Sequence, residues 1–211
     1  MTRAATAALL RDTARGPEVL LLRRSTGARA FPGAWVFPGG AAEPGDGPPG
    51  DELTLRRTAV RETAEEAGLS VSPEGLTRWS TWLPPAEAPI RFETTCFVGA
   101  APAGDVVVDG AEIVDSRWST PASALRRHAA GELTLIAPTW LTLHDFVTAT
   151  SVAAVLAAAP AVPPQYATEV RLVGGRTRLS TGGQRPDLDI TERPWRLLPA
   201  DGHTAKERRT A

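Results

Sequence analysis

Arg61-Glu62-Thr63-Ala64-Glu65-Glu66-Ala67-Gly68-Leu69, with Phe37-Pro38-Gly39-Gly40 ahead of it, is the stretch from which the rest of the chain can be ordered. Glu62 stands three positions before Glu65 and four before Glu66, so on a helix all three carboxylates project from one side. Like charges at that spacing repel and weaken a helix by about 0.3 kcal/mol per pair. A hard divalent cation such as Mg²⁺ or Mn²⁺ is the natural counterweight, because oxygen donors on one rigid element suit it. Gly68 supplies the left-handed residue that stops the helix.

Upstream, Asp51 is a good N-cap, and helix propensity holds from Glu52 to Ala67. Leu53, Val60, Ala64 and Ala67 are read as the apolar side, opposite the carboxylates and packed on a sheet. Between the Gly-Gly turn and the helix, Pro44-Gly45-Asp46-Gly47-Pro48-Pro49-Gly50 cannot form regular structure and reads as a loop. The paired glycines at 39 and 40 let the backbone approach a ligand closely.

Together these residues resemble the Nudix box, Gly-x5-Glu-x7-Arg-Glu-U-x-Glu-Glu-x-Gly-U with U aliphatic. Gly40, Arg61, Glu62, Glu65, Glu66, Gly68 and Leu69 match, while Thr63 departs at the first U position. Asp46 falls where the first glutamate belongs. Twenty residues separate Gly40 from Arg61 where the pattern has thirteen, which implies a seven-residue insertion; Glu52 does not restore the spacing, since eight residues rather than seven lie between it and Arg61. The resemblance implies an α+β fold, a Nudix-type αβα sandwich with a mixed β-sheet, over residues 1–160, followed by a partly irregular C-terminal extension over 161–211. It implies that the Gly40 carbonyl, Glu62, Glu65 and Glu66 hold Mg²⁺ or Mn²⁺. It also implies that Arg61 orients a neighbouring carboxylate, and that Glu65 or Glu112 takes a proton from the attacking water; which of the two is left open.

The rest of the chain is consistent with such a fold. Ala4–Leu10 and Glu18–Leu22 read as a β-hairpin around a Gly-Pro turn, the second strand apolar on both faces. Arg23 and Arg24 end it and are candidates to meet a substrate phosphate. Leu76–Leu83 and Ile90–Val98 read as strands, with Arg91 a further candidate substrate contact. Gly110 to Trp118 runs from loop into strand, a short helix follows Thr120, and a longer one is expected from Pro138 to about Ala158. Thr168–Val173 is a possible strand, and beyond Gly182 the polar tail is expected to be poorly ordered at its end.

Composition narrows the class. With 42% hydrophobic and 22% charged residues and a formal net charge of -1, the chain has a globular composition without the basic excess of a general nucleic-acid binder. The lone Cys96 sits in an apolar run and reads as a core residue in a reducing compartment. The N-terminal apolar stretch is too short for a signal peptide, and the alanine-rich run at 152–162 too short to span a membrane, so a cytoplasmic location is expected. No His/Cys grouping has zinc spacing, and His128, His144 and His203 are given no role.

Val19–Ser25, Phe31–Gly40, Asp46, the lengthened box, Arg91-Phe92-Glu93-Thr94 and Pro138-Thr139 further resemble the acyl-coenzyme A diphosphatase branch. That resemblance implies hydrolysis of coenzyme A or its thioesters to 3',5'-ADP and a 4'-phosphopantetheine product, with a small-molecule diphosphate as the partner and a homodimer as the candidate assembly. The alternatives are another diphosphate substrate (ADP-ribose, a nucleotide sugar, a dinucleotide or a prenyl diphosphate) and a non-catalytic ligand sensor.

Overall fold

The computed structural model describes residues 1–198. The expected irregular end of the tail, and His203, lie outside them. In chain order the strands are β1 (Thr2–Thr13), β2 (Gly16–Arg24), β3 (Trp35–Val36), β4 (Gly39–Ala41), β5 (Leu76–Leu83), β6 (Phe92–Ala100), β7 (Ile113–Ser119), β8 (Gln165–Ala167), β9 (Glu169–Val173), β10 (Arg176–Ser180), β11 (Leu188–Asp189) and β12 (Arg196–Leu197). The helices are α1 (Glu52–Ala67), α2 (Pro121–Ala129), α3 (Ala137–Phe146) and α4 (Val152–Ala157).

Eight strands form a mixed sheet in the order β3-β2-β1-β6-β5-β8, with β4 on β1 and β7 on β2. β1 is its axis: it runs parallel to β6 along its length and antiparallel to β2 near the hairpin. At its other end the edge of β1 is taken by β4, where Ala4 faces Ala41 and Thr6 faces Gly39. The splay of β2 away from β1 thus leaves a slot, and the glycines of the Gly-Gly turn fill it. Gly39 sits at φ 155°, and a Cβ there would overlap the Ala5 carbonyl and the Thr6 backbone, so no other residue fits.

The period-two alternation of the strands sorts their side chains into two cores. Ala5, Ala7, Leu9, Leu20, Leu22 and Phe97 pack on one face with Leu55, Ala59 and Ala67 of α1. Ala8, Leu10, Val19, Leu21, Cys96 and Val98 pack on the other face with Trp140, Leu141, Leu143 and Phe146 of α3 and with Val152 and Val155 of α4. An α+β sandwich results, helix on both sides of a mixed sheet.

Two expectations are corrected here. The buried side of α1 carries Thr54, Leu55, Thr58, Ala59, Thr63 and Ala67, whereas Leu53 is exposed and Ala64 faces solvent. With Glu66, α1 buries seven residues, and three of them are threonines. Thr63, at the aliphatic position of the box, is fully buried and satisfies its hydroxyl by donating to the Ala59 carbonyl at 2.7 Å, so it packs like a valine without an orphan polar group. The long helix from 138 to 158 is instead two helices, because the Ser151 hydroxyl accepts from Ala154 N at 3.1 Å and starts α4 afresh.

Beyond α4 the chain returns to the main sheet as β8, parallel to β5, and then folds into a small antiparallel sheet, β12-β11-β10-β9. An ion pair fastens it: Arg185 donates to Asp145 of α3 at 2.6 and 3.2 Å and lies over the Tyr166 ring. Trp195 packs edge-on against His128 of α2, ring centroids 4.5 Å apart.

Candidate active site

The helix that carries the acidic cluster is fixed at both ends. Asp51 Oδ1 accepts from Leu53 N at 3.2 Å, and Gly68 takes the αL conformation at φ 67° and donates to the Ala64 carbonyl at 3.0 Å. α1 lies on one face of the sheet, but its acidic side reaches the β4 slot. There Glu66 Oε2 accepts from Gly39 N at 2.9 Å. A Cβ at Gly40 would overlap the Glu62 carboxylate, so the second glycine is what admits that side chain.

Arg61 ties the group together. Its Nε and Nη2 donate to the two oxygens of Asp46 at 3.0 and 3.1 Å, Nη2 also to the Ala41 carbonyl at 2.9 Å, and Nη1 to Glu62 and Glu65 at 2.9 Å each. Asp46 is itself buried in a short 3-10 turn, where it also accepts from Glu43 N and the Thr58 hydroxyl, both at 2.9 Å. The lengthened loop therefore delivers a carboxylate to Arg61 despite the seven extra residues. Burial raises the Asp46 carboxyl, but the Arg61, Glu43 and Thr58 hydrogen bonds outweigh it and hold the pKa below the ordinary value. The hydrogen bond to Asp46 raises Arg61 above its usual value.

The glutamates behave in the opposite way. Burial pushes Glu66 up to about 7, against the Gly39 N–H that favours its charged form, and the neighbouring Glu62 adds to the rise. Glu62 is raised as well, first by burial and further by Glu65 and Glu112, with Arg61 opposing. Two desolvated carboxylates that repel each other gain from a cation between them. The donor set, carboxylates and a backbone carbonyl, is that of a hard divalent ion. Among the described residues, however, no three such side chains are already gathered in metal-ligating geometry, since Glu65 is turned onto Arg61 and Glu66 onto Gly39. The residues fit the ion chemically, and Glu65 would have to leave Arg61 to join them.

Gly40, Arg61, Glu62, Glu65 and Glu66 line one cavity of about 1000 Å³, together with Arg24 and Glu112. Arg24 is held by the Ala30 carbonyl at 3.0 Å, and the β2–β7 register shifts between Arg23 and Arg24, a bulge of the kind that re-aims a side chain. Arg23 and Arg91 do not line the cavity; Arg23 lies 3.7 Å from Asp115 and over the Trp35 ring, and Arg91 is exposed. The sequence reading missed Asp109, which also lines the cavity. Its carboxylate accepts from the backbone N of Ala111, Glu112 and Ile113 at 2.6, 2.7 and 3.1 Å, and so shapes the loop that presents Glu112. Asp109-Gly110 is a turn signal that could have pointed to it. His128 is buried in the α2–α3 core and accepts from Leu135 N at 3.1 Å, and His144 stacks on Trp140, so neither reaches the cavity.

A sandwich of this topology, with a box helix set against a Gly-Gly turn, defines the Nudix class of fold. The NUDIX domain model matches residues 1–138, and the chain belongs to that family. It is 28% identical over 158 residues to "Putative nudix hydrolase 7" of Caenorhabditis elegans, covering 57% of this chain and 52% of that protein, so the match spans about half of that relative's length. The crystal structure of a NUDIX hydrolase from Alicyclobacillus acidocaldarius superposes with a TM-score of 0.69 at 26% identity, covering 77% of this chain and 98% of the other. A Caenorhabditis elegans Ap4A hydrolase in a binary complex shares the fold at a TM-score of 0.52 and 23% identity, over 74% and 98% of the two chains. No helix among the described residues is long and apolar enough to cross a membrane.

Proposed function

We propose that the chain is a divalent-metal-dependent hydrolase of a small-molecule diphosphate, with coenzyme A or an acyl-coenzyme A as the favoured substrate. The observation that carries the hydrolase reading is the pair of desolvated, mutually repelling carboxylates, the partly buried Glu62 and the buried Glu66, set against the Gly39-Gly40 backbone inside a cavity large enough for a nucleotide-sized ligand. Family membership and the likeness to the Alicyclobacillus acidocaldarius hydrolase support it.

On this reading the Gly40 carbonyl, Glu62, Glu65 and Glu66 hold Mg²⁺ or Mn²⁺. The bound ion supplies neutralisation of the phosphate oxygens and lowers the pKa of a water. Arg61 serves twice: it keeps Glu62 in place and, anchored on Asp46, holds Glu65 until the site is filled. Glu65 or Glu112 accepts the proton of the attacking water. Arg24, the arginine that reaches the cavity, takes a phosphate oxygen. The coenzyme A preference rests on sequence resemblance in segments that line the cavity, Phe31–Gly40 and Pro138-Thr139 among them.

The test is a hydrolysis panel with Mg²⁺ and with Mn²⁺: coenzyme A, acetyl- and longer acyl-coenzyme A, ADP-ribose, NADH, nucleoside triphosphates and prenyl diphosphates. Release of 3',5'-ADP from the coenzyme A compounds supports the full reading. Turnover of another diphosphate alone removes the coenzyme A preference and keeps the hydrolase. Tight binding without turnover of any member converts the protein into a ligand sensor.

A further inference from the structure

The cavity floor can be followed strand by strand. Ala41, Ala4, Thr94 and Trp82 line it and pair in one row across β4, β1, β6 and β5, and the pairing of Trp82 with Tyr166 carries that row on to β8, beside the lining residue Thr168. Four strand intervals of ~4.8 Å make that row roughly 19 Å long. Every acidic or arginine residue that lines the cavity (Arg24, Glu43, Arg61, Glu62, Glu65, Glu66, Asp109 and Glu112) comes from the chain before β7. From the far segment the lining is Thr168, Val170, Leu179, Ile190 and Trp195.

That wall is built into the fold. Thr168 N donates to the Leu83 carbonyl at 3.0 Å, Arg185 is paired with Asp145, and Arg193 donates to the Thr134 hydroxyl at 2.9 Å. It also lies beyond residue 138, where the match to the family model ends, so its chemistry belongs to this chain rather than to the family pattern.

We infer that residues 168–195 form a selectivity wall that receives an apolar chain carried by the substrate on the far side of its diphosphate. The inference rests on the diphosphate reading for the near end of the cavity. A charged or sugar-like substituent would lose its water there against groups that cannot repay it, whereas an aliphatic one gains from burial. Each methylene buried should tighten binding by about three- to fourfold until the wall is covered. Two sources share this chemistry, an acyl chain on coenzyme A and a prenyl chain joined directly to the diphosphate.

The experiment measures dissociation constants by calorimetry, with Ca²⁺ in place of Mg²⁺ so that the acidic end holds a cation while turnover is suppressed, for acetyl-, octanoyl- and palmitoyl-coenzyme A and for geranyl and farnesyl diphosphate. Wild-type protein is expected to bind the longest chain of at least one series tenfold or more tighter than the shortest. Val170→Asp places a charge in the wall at a residue that is 53% exposed and so tolerates the change; it should flatten that gain to below threefold. Ile190→Ala should reduce it by a smaller factor and guards against misfolding of the first variant. Which series shows the gain identifies the source of the chain. Equal affinity along both series, or a gain that survives Val170→Asp in a folded protein, overturns the wall. Parallel assays with Mg²⁺ separate the two claims: a chain-length gain without any turnover keeps the wall and removes the hydrolase, and turnover without a gain does the reverse.

Discussion

The two ends of the cavity are held together in different ways. At the α1 end, one guanidinium makes five hydrogen bonds, and three carboxylates and a backbone carbonyl depend on where it sits. At the far end, the wall is made mainly of apolar side chains from short strands and the residues that flank them, fixed by aromatic packing, the Arg185–Asp145 ion pair and the hydrogen bonds of Thr168 and Arg193. Charge at a fixed position is what chemistry requires, and it is directional and hard to replace. Apolar surface is non-directional, so a wall of it tolerates exchange and reads shape and hydrophobicity. The same cavity thus joins a brittle end to a plastic one, and substitutions should separate them.

The largest effect belongs to the brittle end. Glu65→Gln or Glu112→Gln, whichever removes the proton acceptor, should lower kcat by ~10²–10⁴ with a small change in KM. Because Glu65 is also one of the carboxylates proposed to hold the metal, its variant should alter the metal-concentration dependence, and the Glu112 variant should not. Steady-state kinetics across Mg²⁺ concentrations decide this. If both variants keep full turnover, the brittle end does no chemistry.

Acid should break the plastic end first. His128 is fully buried beneath Trp195, and burial, then the nearby Arg193 charge, push its pKa down to about 4 from an ordinary value near 6.5. A histidine depressed in this way prefers to be neutral in the folded state. The stability it contributes is complete above pH 6.5 and is lost as pH falls toward 4, by on the order of 3 kcal/mol. Thermal melts from pH 7.5 to 4.5 should show the loss, and His128→Gln, which has no proton to take up, should flatten the profile. The Trp fluorescence of the wild type should shift along with it, since Trp195 packs against the ring that would take up the proton. A melt with no such dependence would leave His128 irrelevant to the wall.

The contrast also explains what could be read from the sequence. The α1 boundaries were legible because they are set by neighbours in the chain, Asp51 accepting from Leu53 and Gly68 turning left-handed. The order of strand-like and helix-like runs pointed to a mixed α+β sandwich, and the αβα arrangement itself came from the resemblance to the Nudix box. The buried side of α1 was misjudged because Leu53 and Ala64 are apolar by composition, while Thr58 and Thr63 are buried only because Asp46 and the Ala59 carbonyl satisfy their hydroxyls. Arg23 and Arg24 could not be told apart, since a register shift in β2 separates them. The wall was invisible: Val170 sits in a short strand, Ile190 and Trp195 flank strands of two residues, the small sheet reaches the main one through the distant β5–β8 pairing, and no local pattern marks them.

Within the brittle end, Asp46→Asn tests whether the lengthened loop is part of the site. It removes the charge that accepts two Arg61 hydrogen bonds while leaving a side chain of the same shape. Arg61 would then hold Glu62 and Glu65 less firmly, and activity should fall ~10–100-fold, as for groups that orient ligands from behind. Stability should drop by about 2 kcal/mol in a urea titration, because a nearly buried pair loses one partner. Asp46→Glu keeps the charge but lengthens the arm. If it recovers activity, the loop has slack. If it does not, the seven extra residues require the shorter carboxylate.

The smallest effect separates two adjacent arginines. Arg24 lines the cavity and is anchored by the Ala30 carbonyl, so Arg24→Ala should raise KM for a diphosphate by about tenfold, the cost of one charge-assisted contact. Arg23 lies outside, between Asp115 and the Trp35 ring, and is 45% exposed along its side chain. An exposed pair of that kind contributes ~0.5 kcal/mol, so Arg23→Ala should change KM by less than about twofold and leave stability nearly as it was. Arg24→Lys, which keeps the charge without the planar fork, should fall between the two if the fork grips a phosphate oxygen. Equal KM values for the Arg23 and Arg24 variants would mean that the bulge in β2 does not select between them, and that phosphate is read by some other group in the acidic end.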